Sequence, residues 1–214
     1  MTPDDYLALY ITGPHGVGKS TLAEHFGQGC LLGINIIDSG PRMREFYENE
    51  CNENIPIEEW VQKIREMNDR YHFTKRLAQL VKKGPNILIG WRTQDDIDAF
   101  TYVTGADHKY IALIIAREEQ LRDRIQNRRL LSGLDELTDY EFQQYMESEK
   151  RMIERGGAPN ADIIIENQGD LETYLRHGSL ALCNGLVELR GHCEYRNICP
   201  FYQDYSGRND KKIR

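Results

Sequence analysis

The sequence predicts an α/β fold of three layers, in which helices cover both faces of a mostly parallel, five-stranded sheet. Two observations carry this prediction. Five short apolar runs alternate with longer stretches of helical periodicity, which is the order of elements in parallel α/β domains. The runs are almost continuously apolar, as strands buried on both faces are. They are Tyr6–Ile11, Leu32–Ile37, Asn86–Ile89, Tyr110–Ile115 and Asp162–Ile165.

Length and composition fit one domain with an appendage. Of 214 residues, 40% are hydrophobic and 29% are charged, as in ordinary globular proteins. No apolar run approaches the ~18 residues of a membrane span, and the first residues are acidic where a signal peptide is basic. These features predict a cytoplasmic protein without a membrane partner. The net charge of −7 disfavours broad nucleic-acid binding, and five cysteines, an odd number, are unlike a secreted disulfide framework.

Residues 13–21 read Gly-Pro-His-Gly-Val-Gly-Lys-Ser-Thr and contain the pattern GxxxxGKS between the first strand and a predicted helix. In this context the pattern predicts a phosphate-binding loop, because glycines let backbone N–H groups surround a phosphate chain at a helix N-terminus. Lys19 is expected to reach the outer phosphates of ATP, and the Ser20 hydroxyl to bind Mg²⁺. The expected nucleotide-binding residues of the loop are Gly13, His15, Gly16, Val17, Gly18, Lys19, Ser20 and Thr21.

Polar residues follow the second and third predicted strands. Asp38 and Ser39 end the second strand, and Arg92 follows the third. Ligands of open α/β sheets bind at the carboxyl ends of the strands, so we expect these side chains to meet a second substrate beside the phosphate-binding loop. Gly40 and Pro41 favour a turn into the next helix.

Three helices are marked by their periodicity or their first turn. Residues 57–83 have an apolar face and contain neither glycine nor proline, which predicts one long helix or two abutting ones. Asp95 and Asp96 are expected in an acidic first turn rather than in a metal cluster. Thr138, followed by Glu141, predicts a capping box.

Arginines are concentrated after the fourth strand, at Arg117, Arg122, Arg124, Arg128 and Arg129. Arg124 and Arg128 share a helical face because they are four residues apart. Planar guanidinium groups bind phosphate in a bidentate manner, so a phosphate clamp is one interpretation. An ordinary surface with salt bridges to neighbouring glutamates is the other.

Residues 178–214 differ in composition and are expected to form an extension of a domain that spans residues 1–177. The extension contains four potential metal ligands, Cys183, His192, Cys193 and Cys199. The spacing between its last two cysteines is wider than is usual for zinc ligands. A metal-binding knuckle and a tail of reduced cysteines packed on the domain therefore both stay open.

Four motifs together resemble the nucleoside monophosphate kinase family of P-loop kinases. Residues 13–21 are similar to the phosphate loop of that family. Residues 38–44, DSGPRMR, resemble the DTGxxxR of cytidylate kinases, and residues 90–93, GWRT, resemble the family's DGxPRT segment. Residues 123–129, DRIQNRR, are similar to the start of the adenylate kinase lid. Residues 161–172, ADIIIENQGDLE, also look like the segment of dephospho-CoA kinases and related archaeal kinase-like proteins that lies against the donor adenine.

This resemblance implies a P-loop kinase fold with a short lid over about residues 124–150 and an acceptor-binding helical region over about residues 40–83. It implies that Arg124 stacks on the base of ATP and that Arg128 touches phosphate. The implied acceptor-binding residues are Ser39, Gly40, Arg44 and Arg92.

Ile89 stands where the family has an aspartate that helps to hold Mg²⁺, so Mg²⁺ is expected on Ser20 and water, with Asp38 as a helper. The leading hypothesis is transfer of the γ-phosphoryl group of ATP to a nucleotide-like acceptor such as a (deoxy)nucleoside monophosphate. A hydroxyl acceptor, such as dephospho-CoA, a nucleoside or hydroxymethyluracil in DNA, stays open with Asp38 as the base. A nucleotide-binding switch or assembly factor is a third alternative, favoured by the missing aspartate. For the kinase, the expected catalytic residues are Lys19, Asp38, Arg92 and Arg128.

Overall fold

The structure, a computed structural model, describes residues 6–67, 71–106, 108–191, 195 and 199–203. These residues form five strands and nine helices that alternate along most of the chain. The strands are β1 (Tyr6–Thr12), β2 (Asn35–Asp38), β3 (Gly84–Ile89), β4 (Lys109–Ile115) and β5 (Ile163–Glu166). The helices are α1 (Lys19–Gly29), α2 (Ser39–Glu50), α3 (Ile57–Met67), α4 (His72–Ala78), α5 (Gln94–Thr104), α6 (Glu118–Leu131), α7 (Asp139–Gly156), α8 (Leu171–Arg190) and α9 (Pro200–Gln203).

The sheet has the order β2-β3-β1-β4-β5, and each neighbouring pair of strands is parallel. Successive side chains of the central strand β1 pack into two different hydrophobic cores, one on each face of the sheet, because side chains of a strand alternate between its faces. Leu9 and Ile11 pack with residues of α1 and α8, whereas Ala8 and Tyr10 pack with residues of α4 and α5. All four are fully buried. The predicted three-layer α/β fold is confirmed.

The strand register brings the ends of three strands together. Asp38 at the end of β2 is paired with Ile89 of β3, and Ile89 is paired with Ile11 of β1. Because all of these strands run in the same direction, the segments that follow them lie at one edge of the sheet. This edge carries the phosphate-binding loop, the start of α2 and the segment around Arg92.

Several predicted elements have different ends in the structure. Residues 57–83 form two helices, α3 and α4, and residues 68–70 between them lie outside the described part. The helix after β2 begins at Ser39 rather than near Pro41, because the Asp38 side chain accepts the N–H of Gly40 at 3.1 Å and caps the helix there. The backbone therefore passes from strand to helix without the expected turn.

Two predicted helix starts are confirmed. Thr138 and Glu141 form the capping box of α7, in which each side chain bonds the backbone of the other. Asp95 and Asp96 lie in the first turn of α5, behind the N-cap Thr93, where negative charge stabilises the helix. Both helices flank the strand-end edge, so these local signals help to position the site.

The predicted boundary between residues 177 and 178 falls inside α8, which is continuous from Leu171 to Arg190. Leu182, Cys183 and Leu186 on this helix are buried in the core beside α1. Beyond α8, Phe201 packs on Phe26 of α1 with ring centroids 5.2 Å apart. Residues on both sides of the predicted boundary thus belong to one core.

Candidate active site

The loop between β1 and α1 has the backbone of a phosphate-binding loop. Gly16 and Gly18 have φ angles of 78° and 99°, a region that glycine alone enters without strain. Gly18 is the N-cap of α1, no side chain caps this helix, and its first turn contains no acidic residue. The free N–H groups and the partial positive charge of the helix end are therefore available to an anion.

The Lys19 side chain is hydrogen-bonded to the backbone of its own loop. Its Nζ atom donates to the carbonyl oxygens of Gly13 at 2.8 Å and Pro14 at 2.7 Å. Burial, followed by the nearby Arg92 guanidinium, lowers the pKa of Lys19 to about 8, while the carboxylates of Glu149 and Asp38 act in the opposite direction. The charged ammonium group is thus held in a largely desolvated position, where a bound anion would stabilise it.

This lowered pKa predicts a pH-dependent affinity for MgATP. A bound phosphate chain favours the ammonium form, so binding above the free-protein pKa of about 8 requires uptake of a proton by Lys19. We expect the dissociation constant of MgATP to rise about tenfold from about pH 7 to about pH 9. Isothermal titration calorimetry in two buffers of different ionisation enthalpy measures both the affinity and the proton uptake.

Lys19→Arg is the matched control for this measurement because arginine keeps its charge over the whole range. Its dissociation constant should be the same at both pH values. An affinity of the unmodified protein that does not change between about pH 7 and about pH 9 would contradict the prediction.

Ser20 and Asp38 form a pair of oxygen ligands beside Lys19. The Ser20 hydroxyl donates to Oδ2 of Asp38 at 2.9 Å, while Oδ1 of Asp38 accepts the N–H of Gly40. A hydroxyl and a carboxylate suit Mg²⁺, which usually keeps several waters and takes few protein ligands. Ile89, the residue in the place of the missing aspartate, is only 2% exposed and belongs to the core. The residues that fit Mg²⁺ are therefore Ser20 and Asp38.

Four cationic side chains from different elements lie near enough to His15 in the loop to affect its pKa. Burial lowers the pKa of His15 to about 4, with further lowering by nearby cations. In decreasing order of effect these cations are Arg128, Arg92, Lys19 and Arg44. Nη1 of Arg128 lies 2.9 Å from Nε2 of His15, so the neutral imidazole accepts a hydrogen bond there. The structure brings together predicted residues of the loop, α2, the β3–α5 segment and α6.

Arg92 is bound to a residue of α7, the helix in which the predicted lid segment (about residues 124–150) ends. Its Nη1 lies 2.5 Å from Oε1 of Glu149, whose side chain is 12% exposed. The Tyr145 hydroxyl donates to the same carboxylate at 2.9 Å. Burial, followed by the charge of Glu149, raises the pKa of Tyr145, which keeps the hydroxyl protonated as a donor.

Ser39 and Gly40 line the transition from β2 to α2 but do not touch the arginines through any contact that the structure records. The Ser39 side chain packs against Gly90, where a Cβ atom would collide with its hydroxyl oxygen. The φ angle of Gly90 is 100°, so glycine is needed there for both space and conformation. The close approach of Ser39 and Gly90 fixes the start of α2 against the segment that carries Arg92.

Arg124 and Asn167 connect the loop to the segment after β5. Nη2 of Arg124 donates to the Asn167 backbone oxygen at 3.2 Å and side-chain oxygen at 3.0 Å. Asn167 in turn donates to the buried Val17 carbonyl at 2.8 Å, and the Tyr174 hydroxyl donates to the Gly18 carbonyl at 2.9 Å. These bonds hold the back of the loop rigidly, so its inner N–H groups are preorganised.

A cavity of about 420 Å³ opens beside this arrangement and has a size that suits a small ligand. The loop contributes Gly16, Gly18 and Thr21 to the lining of this cavity, and α6 contributes Arg124. The side chains of Leu131 and Leu171 also line the cavity, although they are 90% and 60% exposed. Nη1 of Arg124 is buried and has no hydrogen-bond partner among the described residues.

Comparisons with solved structures show which known proteins share the fold of this chain. No protein-family model matches the chain, and no curated protein matches its sequence. Among solved structures, a gluconokinase from Sinorhizobium meliloti 1021 has a TM-score of 0.53 at 15% identity, covering 86% of this chain and 96% of that one. A shikimate kinase from Bacteroides thetaiotaomicron has a TM-score of 0.50 at 16% identity, covering 85% and 98%. A putative kinase from Chloroflexus aurantiacus j-10-fl has a TM-score of 0.51 at 14% identity, covering 88% and 99%.

The chain has the fold of P-loop kinases. This confirms the fold expected from the sequence, but identities of this size show the fold alone. Within this fold, sequence reasoning missed Glu149 and Tyr145. A signal was available, because both lie on the face of α7 that includes the buried Phe142, at spacings of three and four residues.

The predicted metal ligands of the extension are only partly described. Cys183 and Cys199 are buried in the core and line one small, apolar cavity together with Cys30. His192 and Cys193 lie outside the described residues. Within the described ranges, no group of three or more His, Cys, Asp or Glu residues is arranged to hold a metal ion. The predicted site, which includes both undescribed residues, stays a prediction.

None of the helices that the structure describes is long and apolar enough to cross a membrane.

Proposed function

We propose that this protein is an ATP-dependent phosphotransferase that moves the γ-phosphoryl group of ATP to a small-molecule acceptor. The observation that carries the proposal is that Lys19 and Arg128 share one edge of the sheet with Arg44 and Arg92, where all four charges lie near enough to His15 to lower its pKa. The first two belong to the donor side, whereas the second two come from the segments after β2 and β3, where an acceptor would lie. Positive charge on this side favours transfer to a second substrate over binding or hydrolysis of ATP alone.

On the donor side, the loop backbone from Gly13 to Thr21 binds the phosphates, and Lys19 and Arg128 neutralise the charge that develops on the transferred group. Ser20 and Asp38 would hold Mg²⁺, which would neutralise charge on the phosphate oxygens. The base of ATP occupies the cavity beside Arg124. There Nη1 of Arg124, which has no hydrogen-bond partner in the described part of the chain, offers a donor, while the exposed leucines offer apolar contact.

On the acceptor side, Ser39, Gly40, Arg44 and Arg92 bind the second substrate. The sequence motifs favour a nucleoside monophosphate, whose phosphate oxygen would attack the γ-phosphorus and release ADP. A hydroxyl acceptor uses the same place. The hydroxyl oxygen forms the new bond to the γ-phosphorus, while the bond from this phosphorus to the bridging oxygen breaks and ADP leaves. Asp38, which lies 2.9 Å from Ser20, takes the hydroxyl proton. The names of the similar structures add gluconate and shikimate to the candidates.

The test is a screen of acceptors with ATP labelled in its γ-phosphate and with Mg²⁺. Nucleoside monophosphates, nucleosides, dephospho-CoA, sugars and sugar acids, and DNA containing hydroxymethyluracil are the acceptor classes. We expect label to appear in one of these classes. Consumption of ATP that no acceptor accelerates would overturn the proposal and would favour the nucleotide-binding switch that Ile89 suggests.

A further inference from the structure

Glu149 forms an ion pair with the guanidinium group of Arg92, which is expected to bind the acceptor. It lies on α7, far along the chain from Arg92, yet the two side chains are 2.5 Å apart and only 31% and 12% exposed. The Tyr145 hydroxyl holds the carboxylate from the other side at 2.9 Å. Tyr145 also reaches the backbone oxygen of His15 at 3.4 Å, which connects the pair to the phosphate-binding loop.

Glu149 also places negative charge close to the phosphate-binding loop. Its carboxylate raises the pKa of Lys19, whereas the neighbouring Arg92 guanidinium lowers it. A phosphate dianion bound at Arg92 would therefore meet the negative charge of Glu149 in addition to that of the phosphates of ATP.

We propose that Glu149 is a specificity-determining residue that makes the acceptor site select a phosphate-free molecule bearing hydroxyl groups. This inference rests on the proposed phosphotransferase function. A hydroxyl group can donate to the Glu149 carboxylate and accept from Arg92 at the same time. A phosphate dianion only accepts hydrogen bonds, so it would have to displace Glu149 and leave that half-buried carboxylate without Arg92.

Glu149→Gln tests the proposal, with Glu147→Gln as the matched control on the same helix. Glutamine keeps an oxygen acceptor for Tyr145 but removes the negative charge, whereas Glu147 is exposed. We expect the affinity for inorganic phosphate, measured by calorimetry, to rise about tenfold in Glu149→Gln because a like charge is removed. The control should bind phosphate as the unmodified protein does. The double variant Arg92→Ala, Glu149→Gln should lose the gain, because phosphate then has no guanidinium at this place.

The phosphotransferase activity of the same variants is then measured with two panels of acceptors. The first panel contains nucleoside monophosphates, and the second contains phosphate-free sugars or polyols. The ratio of kcat/KM for the second panel to that for the first should fall at least about tenfold in Glu149→Gln. An unmodified protein that prefers nucleoside monophosphates, or phosphate binding that Glu149→Gln leaves unchanged, would overturn the proposal. The binding measurement needs no turnover, so it stays informative if the phosphotransferase assignment fails. Glu149→Ala carries the same expectations if the glutamine variant does not fold.

Discussion

Replacing Lys19 with alanine is expected to lower kcat for phosphoryl transfer on the order of a thousandfold. The Lys19 ammonium is held by the carbonyl oxygens of Gly13 and Pro14 at 2.8 and 2.7 Å, and it lies close enough to Asp38 and Arg92 for both to affect its pKa. Alanine removes the positive charge that meets the outer phosphates. It also leaves two carbonyl oxygens of the loop without their donor, so the affinity for MgATP should fall together with kcat.

Lys150→Ala is the control for this variant. Lys150 lies on α7 with 76% of its side chain exposed and makes a loose pair with Glu154 at 3.8 Å, which contributes little to stability. Its kcat and its thermal midpoint should match those of the unmodified protein. A Lys19→Ala variant that folds, as judged by its thermal midpoint, and keeps kcat within a factor of about three would contradict the assigned role of Lys19.

The parts of the site that could be predicted are those that depend on neighbours in sequence. The phosphate-binding loop needs a strand before it, a helix after it and glycines between them, and all of these signals lie in residues 6–26. The capping box at Thr138 needs only Glu141. Arg92 was predicted beside the loop because a parallel sheet places every strand end at one edge.

The parts that could not be predicted depend on contacts between distant residues. Asn167 was recognised as part of a segment near the donor nucleotide, but its bond to the Val17 carbonyl crosses 150 residues. Glu149 meets Arg92 across 57 residues. In the sequence, Glu149 is one of several charged residues of α7. Only the packing of α7 against the β3–α5 segment distinguishes Glu149 from the exposed Glu147.

These distant contacts change the interpretation of the arginines. The sequence gives no reason to treat Arg92 differently from Arg44, since each follows a strand in a motif typical of acceptor binding. The structure pairs Arg92 with Glu149 and leaves its charge compensated before any substrate binds. The site therefore resembles a set of preorganised hydrogen-bond donors and acceptors more than a second phosphate clamp, which favours the hydroxyl acceptor.

Asp38→Asn is the substitution that separates the two acceptor classes most strongly. Asparagine can still accept the N–H of Gly40, so the start of α2 should be kept. It lacks the negative charge that helps Ser20 to hold Mg²⁺, and it cannot take a proton from a hydroxyl. We expect kcat to fall about a thousandfold with a hydroxyl acceptor but only about tenfold with a phosphate acceptor, which needs no base.

The measurement compares kcat of Asp38→Asn for both acceptor classes over a titration of Mg²⁺. Asp95→Asn, which changes an exposed aspartate in the first turn of α5, is the control and should keep full activity. Near-full activity with a hydroxyl acceptor at high Mg²⁺ would reject Asp38 as the base. An equal loss for both classes that high Mg²⁺ restores would confine Asp38 to metal binding. A large loss that Mg²⁺ does not restore, and that occurs only with the hydroxyl acceptor, is the result expected of a carboxylate that accepts the proton.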